Sequence, residues 1–239
     1  MSRSYRVKDI ESNLITAGFW PLDVLVIGST GAGKSSTINA MFQKEVAKVG
    51  RNCDPETMSI SSMKLNDAFR LWDSPGLGDD VSRDQGYAKD LKEILTRDCY
   101  LENKRYGFID MVLVILDGSG RDMGTTNKLL NEVVAPNFPA DRILIAINQA
   151  DMALKGRHWD YAHNCPDTTL TDFLDDKVRS VSSRLKESTG ITVKKPVYFS
   201  AEKEYNVDKL MDLIIDNMPL ERREAAPQYS FFKLPRRMA

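Results

Sequence analysis

Cysteine is scarce in this sequence. Cys53, Cys99 and Cys165 form no CxxC pair and are odd in number, which excludes a disulfide framework and points to free thiols in a reducing compartment. An excess of charge of either sign is lacking too. With 33 basic against 34 acidic side chains the formal net charge is -1, so the bulk charge gives no reason to expect a nucleic acid or a membrane surface as partner. No apolar run approaches the ~18 residues that would span a bilayer. The opening stretch MSRSYRVKDIESN mixes charges where a signal peptide has an apolar centre. The expected location is therefore the cytoplasm. Histidine is rarer still: His158 and His163 lie near Cys165, but the spacing fits no structural zinc pattern, and a solvated loop is the plainer reading.

What is present is alternation. An amphipathic helix is expected over 4–18, followed by the apolar strand LDVLVIG (22–28) and a helical pattern through Ile38, Met41 and Phe42. Periodicity is lost from Glu45 to Ser59. SISSMKL (59–65) and AFRLWD (68–73), joined by Asn66-Asp67, read as a hairpin. A helix over 87–98, the strand MVLVILDG (111–118), a helix near 124–134 and the strand RILIAIN (142–148) follow. Residues 152–169 lack a clear pattern. A helix over 170–188, the strand PVYFS (196–200) and a helix over 206–217 complete the series. Strands interleaved with helices predict an α/β fold of three layers, a mostly parallel sheet of about six strands covered on both faces. The 225–239 stretch has poor pattern and reads as a tail. Its Phe231, Phe232, Lys233, Arg236 and Arg237 suit a frayed terminus better than a membrane or RNA contact.

Chemistry collects at strand ends. Gly28-Ser29-Thr30-Gly31-Ala32-Gly33-Lys34-Ser35 is a complete GxxxxGK[ST], with an apolar strand before it and a helix after it. Such a loop aims backbone N–H groups and a helix N-terminus at phosphate oxygens. Lys34 is expected to reach the β- and γ-phosphates and the Ser35 hydroxyl to ligate Mg²⁺. The expected phosphate contacts run over Ser29, Thr30, Gly31, Ala32, Gly33, Lys34, Ser35 and Ser36. Asp73-Ser74-Pro75-Gly76 closes the next candidate core strand: Asp73 is a second Mg²⁺ holder, and the Gly76 N–H is a sensor of the γ-phosphate.

Asn148-Gln149-Ala150-Asp151 ends another apolar strand, and with it the chain resembles the translation-factor-class P-loop GTPases, nearest the Era-like branch. TGAGKSSTINAMF, DSPGLGDD and NQAD followed by GRHWD are most similar to the YfjP/YeeP-type GTPases of bacterial prophages, with related P-loops in septin-type and immunity-related GTPases. The resemblance covers roughly residues 20–218. It implies a G domain at 21–218 between an N-terminal helix (1–20) and a C-terminal tail (219–239). The Asp151 carboxylate would accept bonds from N1–H and the 2-amino group of guanine, which adenine cannot offer, a discrimination on the order of 10⁴. Ser200-Ala201 would bring a backbone N–H to guanine O6. Thr57, with Ser59 and Ser61 as substitutes, would cap Mg²⁺ and γ-phosphate in a first switch; loop 74–86 would be the second.

Three departures from the family pattern stand out. Leu77 occupies the place of the glutamine that orients water in Ras-like proteins, so turnover would be slow or assisted. Gly31 stands where potassium-activated members carry Asn, and Gln149 where most carry Lys. The implied activity is GTP hydrolysis to GDP and phosphate with Mg²⁺, by a nucleotide-dependent switch. Its partners would be a guanine nucleotide, an effector protein and a second copy of the chain across the nucleotide. The competing reading is a GTP-dependent dimerising module with negligible turnover.

Overall fold

The computed structural model describes residues 5–42, 61–74, 81–101, 103–120 and 124–225. Thr57, Ser59, Gly76 and Leu77 lie outside the described residues, as does the tail beyond 225. In chain order the elements are α1 (Val7–Ala17), β1 (Leu22–Ile27), α2 (Lys34–Phe42), β2 (Ser61–Asn66), β3 (Phe69–Asp73), α3 (Val81–Thr96), β4 (Asp98–Leu101), β5 (Lys104–Gly107) and β6 (Met111–Asp117). They continue with α4 (Gly124–Leu129), a π-turn (Leu130–Val134), α5 (Ala135–Asn137), β7 (Ile143–Asn148), β8 (Trp159–Asp160), β9 (Cys165–Pro166), α6 (Thr168–Thr189), β10 (Val197–Tyr198) and α7 (Val207–Ile215).

The main sheet has six strands in the order β10-β7-β6-β1-β3-β2. All its pairings are parallel except β2 on β3. Its central strands read as unbroken apolar runs because both faces are covered. Val24 and Val26 of β1, with Leu113 and Ile115 of β6, point into a layer closed by α1, α2 and α7. Their neighbours Leu25, Ile27, Val112 and Val114 point into the opposite layer, with α3, the π-turn and α6. The three-layer α/β architecture expected from the alternation is the observed one. Ile10 and Leu14 of α1 join the first of these layers, so the N-terminal helix is packed on the domain.

Several boundaries differ from the sequence reading. α3 starts at Val81 and α6 at Thr168, where the Asp167 side chain accepts the Leu170 N–H at 2.9 Å. The helix expected over 124–134 passes through a π-turn and ends at Asn137. Only Val197–Tyr198 of 196–200 is strand. The β4–β5 and β8–β9 hairpins were not expected at all.

The end of the sheet away from the strand C-termini is held by buried charge. Asp23 accepts from Arg70 Nε and Nη2 at 2.7 Å and from Trp72 Nε1 at 2.8 Å. Asp110, fully buried, accepts the Asp23 N–H at 3.0 Å and faces Arg222 Nε at 3.7 Å. Arg223 donates to the Ile109 and Leu95 carbonyls, both at 2.9 Å, and Glu224 bridges to Tyr106. Glu221–Glu224, assigned to the tail by sequence, is thus clasped by the domain. Among the described residues no helix is long and apolar enough to cross a membrane.

Candidate functional site

Parallel strands deliver their C-terminal ends to one edge, and the expected motifs meet there. β1 leads into the glycine loop and α2. Two of its glycines are required by space. A Cβ at Gly28 would lie 2.4 Å from the Ile115 carbonyl oxygen. Gly33, at φ +82°, would place one 2.2 Å from Asn148 Nδ2. The Lys34 side chain folds back over the loop, Nζ donating to the Gly28 and Ser29 carbonyls, each at 3.1 Å. The loop's exit is fixed by Thr37, whose N–H and Oγ1 both donate to the Gly33 carbonyl at 2.8 and 2.7 Å.

β3 brings Asp73 beside α2, and Ser35 Oγ donates to Asp73 Oδ2 at 2.9 Å. Asp73 Oδ1 is buried without a hydrogen-bond partner among the described residues. Burial pushes the Asp73 carboxyl above its ordinary range, and the Ser35 hydroxyl and the Lys34 charge pull the other way without cancelling it. An orphaned carboxylate oxygen beside a serine hydroxyl fits the donor set that a hard divalent cation takes. The adjoining Ser74 hydroxyl is 3.0 Å from Tyr87 Oη of α3, which ties the start of the expected second switch to the helix that follows it.

β7 supplies the other half. Asn148 joins three segments: its Nδ2 donates to the Ala32 carbonyl at 3.0 Å and its Oδ1 accepts the Ala201 N–H at 3.0 Å. The Ala201 N–H expected for guanine O6 is therefore engaged with Asn148, and meeting a base would mean sharing or exchanging that bond. Gln149 Nε2 reaches the Gly31 carbonyl at 2.6 Å, so its amide steadies the phosphate loop. Asp151 is 4% exposed, and among the described residues its carboxylate has no hydrogen bond or ion pair. Ser200 Oγ accepts the Lys203 N–H at 3.1 Å, shaping the turn after β10.

Two contributors escaped the sequence reading. Lys177 of α6 sends Nζ to the carbonyls of Asp117, Gly118 and Gly120 at 3.1, 2.6 and 2.6 Å. It holds the β6–α4 loop, whose Gly118 N–H bonds the Asn148 carbonyl at 2.7 Å. Nothing in the spacing of a helical lysine signals this. The second is Trp159, in the GRHWD stretch, which packs beneath Ala150 and Ala153. His158 and His163 pair with Asp167 and Asp160, and among the described residues no cluster of His, Cys, Asp and Glu has a metal-holding arrangement.

Comparison with known proteins adds three kinds of likeness. The family described as 50S ribosome-binding GTPase matches residues 23–149. The uncharacterized protein YfjP of Escherichia coli is 28% identical over 130 residues, 54% of this chain and 41% of its own length. The chain thus matches well under half of that relative. A probable GTP-binding protein EngB of a Thermotoga species is 25% identical over 157 residues, 63% of this chain and 77% of EngB. Among solved structures, a GTP-binding protein of Sulfolobus solfataricus in complex with GDP superposes with a TM-score of 0.51 at 16% identity, covering 88% of this chain and 55% of that one. At that identity the likeness speaks for the fold.

Proposed function

The chain belongs to the 50S ribosome-binding GTPase family, and from that premise we propose that it is a GTP hydrolase working as a slow, Mg²⁺-dependent guanine-nucleotide switch. The observation that carries this reading is the junction at Asn148, which fastens the phosphate loop at Ala32 to the Ser200–Ala201 loop. A single side chain then sets the distance between a triphosphate site and a base site.

In the proposed reaction water attacks the γ-phosphorus and the bond to the β-phosphate oxygen breaks, giving GDP and phosphate. Ser35 and Asp73, with Thr57, would hold Mg²⁺, which when bound neutralises charge on the β- and γ-phosphate oxygens. Lys34 would turn its ammonium from the loop carbonyls to the phosphates and stabilise the charge that gathers on the leaving oxygen. The Gly76 N–H and Thr57 would orient the γ-phosphate and the water. Asp151, buried and without a protein partner among the described residues, supports recognition of guanine through N1–H and the 2-amino group. Leu77 offers no polar group for positioning water, which supports an unassisted rate on the order of 10⁻⁴ to 10⁻² per second. The free thiols of Cys99 and Cys165 suit the cytoplasm.

Phosphate release from GTP, followed over a series of protein concentrations beside a Lys34→Ala control, tests the switch. Slow turnover per molecule that does not change with concentration, and is lost in the control, supports it. Specific activity that climbs with concentration assigns catalysis to a pair of chains. Tight GTP binding without turnover describes an interaction module instead.

A further inference from the structure

The segment between Asp151 and α6 is a built unit. β8 and β9 pair antiparallel, and the tip is closed by Asp160. Its Oδ1 accepts the Ala162 and His163 N–H groups at 2.9 and 3.1 Å, and its Oδ2 lies 2.6 Å from His163 Nδ1. This hairpin touches both loops assigned to the base. On one side Trp159, 6% exposed, shares a small apolar cluster with Ala150 and Ala153, which flank Asp151. On the other its ring meets Tyr205 edge-on, with centroids 5.2 Å apart. Tyr205 exchanges two 3.0 Å backbone bonds with Ser200. Asn164 at the hairpin tip donates to the Lys203 carbonyl at 2.8 Å, and the Lys203 N–H in turn bonds Ser200 Oγ.

We propose that Trp159 and Asn164 are specificity-determining positioning residues, through which hairpin 159–166 locks the Asp151 turn and the Ser200–Tyr205 loop at one spacing for a guanine base. This rests on the guanine assignment of Asp151. The physical reason is that the two loops come from distant parts of the chain, while hydrogen-bond readout tolerates little displacement. A carboxylate that must accept from N1–H and the 2-amino group together discriminates only if the ring is held at a fixed height before it. The β7–β10 pairing reaches only to Tyr198; beyond it the Ala150 N–H donates to the Phe199 carbonyl at 3.1 Å and Asn148 Oδ1 accepts the Ala201 N–H at 3.0 Å, and the hairpin adds a brace between the same two loops on their outer side. Trp159 Nε1 is buried without a partner among the described residues, which marks the ring, not the N–H, as the part that acts.

The test compares GDP with IDP, which keeps O6 and N1–H but lacks the 2-amino group, by calorimetric titration of the full chain with Mg²⁺. Wild type is expected to prefer GDP. Asn164→Ala and Trp159→Ala are expected to lower the GDP-to-IDP affinity ratio by at least about threefold, and Trp159→Phe, which keeps a ring, to restore it. The kcat at saturating GTP is expected to stay within about twofold of wild type in all three, because the phosphate loop is untouched. A role confined to stability lowers both affinities by one factor and leaves the ratio alone. Asn164 is exposed and stands at φ +51°, where Ala is only modestly strained, so its variant tests the brace even if Trp159→Ala does not fold. An unchanged ratio in Asn164→Ala, with wild type preferring GDP, overturns the brace alone. A wild type that binds GDP and IDP equally overturns the guanine assignment and the brace with it.

Discussion

Gly33 and Asn148 are set against each other across the site, so closely that a Cβ on residue 33 would come within 2.2 Å of Asn148 Nδ2. The amide that would be displaced is the one that bonds the Ala32 carbonyl. Gly33→Ala therefore combines a left-handed φ of +82°, worth about 1–2 kcal/mol for a non-glycine residue, with a collision at the junction of phosphate and base loops. GDP affinity measured by calorimetry should fall by at least ~10-fold, about 1.4 kcal/mol. Near-normal binding would mean that the loop does not need its closeness to Asn148.

Lys177 gives a second prediction. Its ammonium serves three carbonyls of the β6–α4 loop at a half-buried position, and burial pulls its pKa below the ordinary lysine range while Asp117 opposes this. Lys177→Met should cost about 1–2 kcal/mol in denaturant unfolding, the size expected for charge-assisted bonds that are partly solvated. Lys177→Arg, with the charge kept, should cost less. Equal losses in the two would show that packing of the stem, and not the ammonium, holds the loop.

The opposite end of the sheet predicts a pH effect. Burial pushes the Asp110 carboxyl up to about 7, with Arg222 lowering it and Asp23 raising it. Its folded pKa thus stands above the unfolded value near 3.8. Across that window the folded state retains a proton that the unfolded state has released. Asp110 therefore contributes stability that declines as pH rises from about 4 to about 7, by at most ~1.4 kcal/mol per pH unit. The stability of wild type relative to Asp110→Asn should fall over that range and level off above it. A difference that rises with pH would place Asp110 as a salt-bridged carboxylate instead.

How far the sequence foretold this molecule depended on whether the cause was local. Met111–Asp117 is apolar throughout because both its faces are buried, so it reads as a core strand without further help. The glycine loop was legible for the same reason: its spacing encodes its own geometry. The β4–β5 hairpin was not, because DCYL and KRYG are largely polar and turn at Asn103, a non-glycine residue at φ +64°. The start of α3 was missed since 81–86 carries Asp and Gly beside a loop. Asn148, expected to serve the base, also fastens two loops, and Lys177 and Trp159 act through partners far along the chain. Contacts of that kind have no periodicity to reveal them.

The most direct test of the central claim, a GTP hydrolase that recognises guanine through Asp151, is phosphate release from GTP and from ATP with Mg²⁺ by wild type and Asp151→Asn. Wild type should consume GTP and leave ATP, by a margin on the order of 10³ or more, and Asp151→Asn should lose most of that margin. Equal use of ATP and GTP by wild type, or a preference for GTP that survives in Asp151→Asn, would contradict it.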